Sequence, residues 1–449
     1  MSDRAEPAVA PPPPARSGLS FIPNIGVLPA MIGLAVVSQI LFMFQLQHPT
    51  QLFFDETHYV PAARDLIQGI EYRNVEHPLF AKTLIGISML IFGDNPFGWR
   101  FFSTLMGTAT IVAVFLIAQT IFRDVRISVA AAVLTLLNQL VYIQARIAML
   151  DVYMGAFLLF ALYFLLDSYQ RGDAKRVKWG LILSGAMFGL AVGSKWAALP
   201  YFLGAAIAFY VIRDRQAKKA GVPDDQFLHT KDLPSWRGVS TMDGLFYFGG
   251  TFLAVYFLTF LPALFVETNR LGLLQIIPHQ FEIYRQQTQP LSPHNYMSSW
   301  TQWPLIGRPI WYLYERVDGV LRGVLLVGNP AVMWGGLVAM LLVLRRGWRS
   351  KDMRLLLLAG LFAFSYGVYA VIPRNVSFYY YYYVPAIFLS IALAVAFDRM
   401  CRGGRAQLVP PAFFAATITL FIYFYPIISA SPLQQDQDFL KWTWFDSWR

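Results

Sequence analysis

Charge is scarce in this sequence. Only 14% of its 449 residues are Asp, Glu, Lys or Arg, where a soluble chain carries about 25%. That shortage excludes an ordinary soluble domain. Cysteine is nearly absent: Cys401 stands alone, so no intrachain disulfide and no thiolate metal centre can be built. Histidine is sparse too, with six in the whole chain, and these show no ligand spacing with acids. No metal site and no metal cofactor are therefore expected.

What fills the space is apolar. Hydrophobic residues make up 56% of the chain and the mean hydropathy is +0.47, as expected of a polytopic membrane protein built as one embedded unit. The formal charge of +10 would suggest a nucleic-acid partner in a soluble protein. Here it is read as the Lys and Arg of cytoplasmic loops, with no nucleic acid involved.

A membrane span needs roughly 20 mostly apolar residues. About eleven segments qualify, near 27–46, 100–122, 127–145, 149–167, 179–194, 196–212, 244–265, 323–344, 354–372, 378–397 and 410–430. With the N-terminus inside, RDVR (123–126), RGDAKRVK (171–178), RDRQAKK (213–219), RRGWRSKDMR (345–354) and DRMCRGGR (398–405) all fall on the cytoplasmic side. The expected organisation is a disordered cytoplasmic tail over 1–26, a transmembrane domain over 27–430, and an outer tail over 431–449. Two large outer loops, 47–99 and 266–322, hold surface helices. LFAKTLIGISMLIF (79–92) would cover only about 21 Å as a helix, so it is read as interfacial. The run Tyr379–Tyr383 and the tail residues Trp442, Trp444 and Trp448 read as an aromatic belt.

The chemistry gathers at the outer ends of the spans. Asp55 and Glu56, in FFDETHY, follow the first span. They are either a plain acidic boundary or a general base at the membrane surface. EHPLFAK supplies His77 and Lys82, ARIAMLD supplies Arg146 and Asp151, and GLAVGSKWAALP supplies Lys195. Arg146 either pairs with Asp151 or faces an anion, and Lys195 with Trp196 is either an interfacial anchor or an anion ligand. Carboxylates beside a cation cluster suit transfer of a group off a lipid-linked phosphate. A phosphate leaves as a stable anion and needs positive charge rather than a proton, whereas a sugar alkoxide needs an acid. One base and a cationic clamp then suffice. In the second outer loop, His294, Asn295, Tyr296, Trp300 and Trp303 offer stacking faces and hydrogen-bond donors suited to sugar or peptide. A transporter or flippase would instead carry its ionisable residues at mid-span.

The stretches FDETHY (54–59), EHPLFAK (76–82), WRFFSTLMG (99–107), ARIAMLD (145–151), GLAVGSKWAAL (189–199), HNYMSSWTQWPLIGRPIWY (294–312) and GNPAVMWGG (328–336), in that order, resemble the protein O-mannosyltransferases, a branch of the GT-C membrane glycosyltransferases. The resemblance spans most of 27–400. It implies an all-α integral membrane fold, a polyprenyl- or dolichyl-phosphate-mannose donor, Ser/Thr acceptors on exported proteins, and inversion at the sugar carbon. It also implies that Asp55 is the base, that Glu56 orients or binds the acceptor, and that Arg146 and Lys195 lie near the donor phosphate. His77 and Lys82 would support them, with Asp151 as a helper. Membrane lipids are an expected partner, and whether a protein-export machinery delivers the acceptor is left open by the sequence. Two departures stand out: the family's HPP is HPL here (77–79), and Thr301 and Gln302 separate Trp300 from Trp303. The 266–322 loop is too short for the β-trefoil insert of eukaryotic members, which points to a compact bacterial type. A GT-C transferase acting on a lipid or envelope polymer is the alternative.

Overall fold

A computed structural model describes residues 17–290, 292–372, 376–402 and 404–449. The bundle begins with α1 (Val27–Met43), then a loop bearing α2 (Glu56–Ile67) and α3 (Phe80–Phe92). The next helix, α4 (Pro96–Phe122), starts at Asn95, whose side chain accepts from Phe97 N and Gly98 N, both at 3.0 Å. Pro96 occupies the first helical position, where its missing N–H costs nothing. The segment 127–145, expected as one span, is two helices, α5 (Val125–Leu136) and α6 (Gln139–Gln144). Asn138 breaks it: its side chain accepts from Leu140 N at 3.2 Å and from Asn329 N at 3.1 Å, starting a new helix.

Four helices follow: α7 (Leu150–Gln170), α8 (Ala174–Ser194), α9 (Leu199–Lys219) and α10 (Thr241–Leu245). A π turn leads from α10 into α11 (Thr251–Leu258). The second large loop carries α12 (Ile276–Thr288), and the chain ends with α13 (Pro330–Ser350), α14 (Met353–Val371), α15 (Tyr383–Met400) and α16 (Val409–Ile428). Among the described residues nine helices are long and apolar enough to cross a membrane, and α1, α3 and α5 are shorter apolar helices. The boundary expected at GSKW is real: Lys195 is extended between α8 and a 3-10 turn, Trp196–Ala198, that opens α9.

The central helix is α15. Its span is apolar on every side and fully buried, against α4, α5, α13 and α14. By contrast α9 and α14 have only 28% and 22% of their apolar windows buried, so they form the lipid-facing flank. The tyrosines before α15 are not a belt: all five of Tyr379–Tyr383 are buried.

One element was not anticipated. Residues 310–326 form an antiparallel hairpin of β1 (Ile310–Val317) and β2 (Val320–Leu326), and β3 (Pro432–Leu433) adds to β2. Asp318 and Gly319, with φ of 55° and 75°, make the two-residue turn that Asp-Gly favours. Helix α13 therefore starts at Pro330, later than the span expected from 323. The expected outer tail is docked: Trp448 is buried, and its Nε1 donates to Ile306 O at 2.7 Å. The expected disordered N-terminal segment also shortens. Leu19 and Ile22 are buried, and Ser17 donates to Asp398, while residues 1–16 lie outside the described residues. The two large loops are joined where Thr268 N donates to Ile70 O at 2.8 Å and Tyr72 N to Thr268 O at 3.1 Å.

Candidate active site

The site forms at the end of the bundle that carries the two large loops. Phe54 adopts φ 51°, uncommon for a residue with a β-carbon. Its ring stacks on Tyr312 of β1 at 3.9 Å, which holds this turn in place. The turn delivers Asp55 to the start of α2. Asp55 lines a cavity of about 760 Å³ with His58, Tyr59, Asn74, Glu76 and His77. Burial pushes its carboxyl up from 3.8 to about 6; Lys195 pulls it down, and the negative charge of Asp151 pushes it up. A carboxylate that titrates near neutrality is suited to taking a proton.

Glu56 points the other way. It is fully buried, and Arg100 of α4 grips both its oxygens at 2.8 Å. Ala148 N donates to the same carboxylate at 3.0 Å. The rest of the Arg100 guanidinium donates to the carbonyls of Pro49 at 2.7 Å and Gln51 at 3.0 Å. Glu56 thus anchors the loop, and the acceptor-facing role expected for it does not fit this position. Arg100 was missed by sequence reasoning, although it stands inside WRFFSTLMG.

Lys195 is 3% exposed and bridges both oxygens of Asp151, at 2.9 and 2.8 Å. Its ammonium lies 4.9 Å from the centre of the Tyr380 ring and 5.3 Å from that of Tyr381, and both rings line the cavity. Lys195 is therefore a positive charge directly behind an aromatic wall. Asp151, expected as a helper, is its partner.

The other expected phosphate ligands are occupied. Arg146 donates to Phe42 O at 2.7 Å and Phe44 O at 2.6 Å. It satisfies carbonyls at the end of α1 that no further turn of helix would satisfy. Lys82 is fully buried and donates to Asn74 O at 2.6 Å and His77 O at 2.9 Å. It moors the 73–77 loop rather than facing the cavity. His77 does line the cavity, edge-on to Tyr59 at 5.9 Å. Among the described residues no Lys or Arg lines it, and its cationisable groups are His58 and His77. His58 was in view within FDETHY, one helical turn beyond Asp55.

In the second loop, none of His294, Asn295, Tyr296, Trp300 and Trp303 is among the described cavity-lining residues. Trp303 is 1% exposed, and its ring packs against Tyr369 and Tyr381 at 5.0 and 5.9 Å, so it supports the wall from behind. His294 sits edge-on to Phe378 at 5.3 Å. Asn295 accepts from Arg308 at 2.6 Å through its carbonyl, the Tyr296 N–H donates to the His294 ring at 3.1 Å, and Trp300 O accepts from Tyr366 at 3.0 Å. The loop contributes instead through Tyr284, Gln286, Gln287, Thr288 and Gln289. Among the described residues no cluster of three or more His, Cys, Asp or Glu is placed to hold a metal ion.

Comparison with known proteins agrees along the chain. Residues 76–222 match the family described as dolichyl-phosphate-mannose-protein mannosyltransferase, and residues 273–448 match the C-terminal four-span region of protein O-mannosyltransferases. A polyprenol-phosphate-mannose–protein mannosyltransferase of Mycolicibacterium smegmatis is 27% identical over 99% of this chain and 98% of its own. The Saccharomyces cerevisiae protein O-mannosyltransferase Pmt1-Pmt2 complex bound to the sugar donor has the same fold: TM-score 0.76 at 14% identity, over 97% of this chain and 95% of that one. ArnT from Cupriavidus metallidurans is more distant, with TM-score 0.53 at 16% identity over 87% of this chain and 64% of its own.

Proposed function

Because this chain belongs to the protein O-mannosyltransferase family of GT-C membrane glycosyltransferases, we propose that it moves mannose from polyprenyl-phosphate-mannose to Ser/Thr hydroxyls of exported proteins, inverting the sugar carbon. The observation that carries this reading is the mixed lining of one cavity. Asp55, His58, Asn74 and His77 share it with Leu199 and Leu203 of α9, Val368 of α14 and Ile372 just after α14. These apolar residues belong to the lipid-facing flank, where Leu203 is 50% exposed. The two helices touch: Tyr201 donates to Ser365 O at 3.2 Å, and the Tyr201 and Phe364 rings meet edge-on at 5.7 Å. In this reading the polyprenyl chain lies along the apolar residues and its phospho-sugar against the polar ones.

In the proposed step the acceptor hydroxyl gives its proton to Asp55 as its oxygen bonds to the anomeric carbon. The carbon–phosphate-oxygen bond breaks on the opposite face, and the polyprenyl phosphate leaves as an anion. Lys195 stabilises that charge through the aromatic wall, and His58 and His77 face it directly. The step uses no metal, so full activity in chelator is expected, and its loss would overturn that part. By the distribution of basic loops the site faces the outside of the cell membrane with the N-terminus inside. Acceptors would then meet it as they leave an export machinery.

The test uses purified protein, polyprenyl-phosphate-mannose carrying labelled sugar, and a Ser/Thr-rich peptide. Wild type labels the peptide, and folded Asp55→Asn is slower by about 10²–10⁴. Label appearing only on lipid or glycan from added membranes would instead identify a transferase of envelope polymers.

A further inference from the structure

Helix α12 has two unlike faces. One is fixed to the protein: Ile276 and Ile283 are buried, His279 bonds the Tyr72 hydroxyl at 3.2 Å, and Gln287 donates to Glu76 O at 2.8 Å. The other face is an unpartnered apolar stripe. Leu273 and Leu274, in the turn that leads into the helix, are 67% and 85% exposed, and Ile277, Phe281 and Tyr284 are 61%, 76% and 60% exposed. The spacing of the helical members is that of one helix face.

The depth of this stripe is set by a chain of hydrogen bonds. Gln280, in the middle of α12, accepts from the Tyr256 hydroxyl, which in turn accepts from Trp196 Nε1 at 2.7 Å. Tyr256 belongs to the last turns of the span that ends in α11, and Trp196 opens the preceding span, Trp196–Lys219. The stripe therefore lies level with the ends of two spans. At the end of the α11 span and just after it, Leu258 and Phe265 are exposed as well, at 57% and 78%. We propose that α12 lies in the outer leaflet of the bilayer, and that the lipid holds it as a movable wall of the cavity. The cavity-facing part of that wall is its C-terminal stretch, where Gln286, Gln287 and Gln289 line the cavity that also holds Asp55.

Association with lipid follows from the chemistry of the stripe, which is aliphatic and aromatic side chains; on the helix itself Arg285 is already paired to Glu282 at 2.8 Å. An anionic headgroup is not required. The helix is bonded to the protein along only one face, so removing the lipid loosens the Gln286–Gln289 wall without unfolding the spans. This consequence for catalysis rests on the cavity being the transfer site; the placement of the helix does not.

Two measurements on the full chain separate those parts. In a Cys401→Ser background, spin labels at Leu274→Cys and Phe281→Cys are read in phosphatidylcholine nanodiscs by collision with oxygen and with a water-soluble nickel chelate. Labels relaxed by oxygen and shielded from nickel place α12 in the leaflet. Nickel access equal to that of a label at Asn269→Cys overturns the proposal, including the case where a second protein copy covers the stripe only in detergent. The companion variant joins Leu274→Ser, Ile277→Ser and Phe281→Ser, all already exposed, so the packed core is untouched. With its melting temperature unchanged, transfer in nanodiscs falls at least about tenfold as the wall loses its lipid hold. Inserted labels with unchanged transfer overturn the wall. Inactive wild type in the same nanodiscs, with inserted labels, overturns the reading of the cavity and leaves the placement standing.

Discussion

Glu56 and Arg100 meet through two parallel hydrogen bonds of 2.8 Å in a place with no solvent, and this pairing leaves Asp55, one residue earlier, turned to the cavity. Adjacent acids thus have opposite duties. Removing one partner of a buried ion pair strands the other charge and costs about 3–5 kcal/mol. Glu56→Gln and Arg100→Met are both expected to lower the melting temperature in detergent and to abolish transfer. A Glu56→Gln protein that melts like wild type yet is inactive would return Glu56 to a role in the reaction.

Asp55 behaves in the opposite sense. Its carboxyl is held near 6 in the fold, against 3.8 for the free group, so folding favours the protonated form. Sign and window follow by linkage. Below about pH 3.8 there is no cost; between there and 6 the cost grows as pH rises; above 6 it levels off at about 3 kcal/mol. Asp55→Asn removes it. The variant should melt above wild type at pH 8, with the gap closing toward pH 4. A gap that does not depend on pH would show that Asp55 is not the strained group.

The same carboxyl sets the pH dependence of the reaction. A base acts only when ionised, so wild-type transfer should fall as pH drops through about 6. The charge of Asp151 raises the Asp55 pKa and that of Lys195 lowers it. Asp151→Asn should therefore move the acid limb to lower pH, and Lys195→Gln should move it to higher pH while also slowing the plateau. Rate–pH profiles of the three proteins at saturating donor decide this. Two limbs moving in the same direction would sink the assignment of Asp55 as the titrating base.

Run length and charge made the bundle legible because each span is a local property. The helix end at Ser194 and the position of Asp55 could be read in the same way, whereas the start of α4 at Pro96 lies ahead of the span expected from 100. Partner choice could not. Asp151 finds Lys195, and Glu56 finds Arg100, across spans, and no local rule ranks Lys195 over Arg146 as the partner of Asp151. An apolar run also does not say whether it faces lipid or protein, which is why Tyr379–Tyr383 read as belt and proved to be core. The hairpin had a usable signal in Asp318–Gly319 between alternating strands, but the apolar residues of β2 merged with those of α13.

Lys82 gives the sharpest contrast between sequence and structure. It was expected at the phosphate and instead holds the carbonyls of Asn74 and His77, beneath a loop whose Asn74, Glu76 and His77 line the cavity. Lys82→Met keeps most of the apolar stem and removes the donor, leaving buried carbonyls unsatisfied at a cost of about 1–3 kcal/mol. Because the loop and not a span loses its mooring, the loss should be local. Hydrogen exchange in 73–77 should speed up while α4 and α7 stay protected, and transfer should fall mainly through a raised KM for donor. If Lys82 touched the phosphate instead, Lys82→Met would leave exchange in 73–77 unchanged and still lose donor binding.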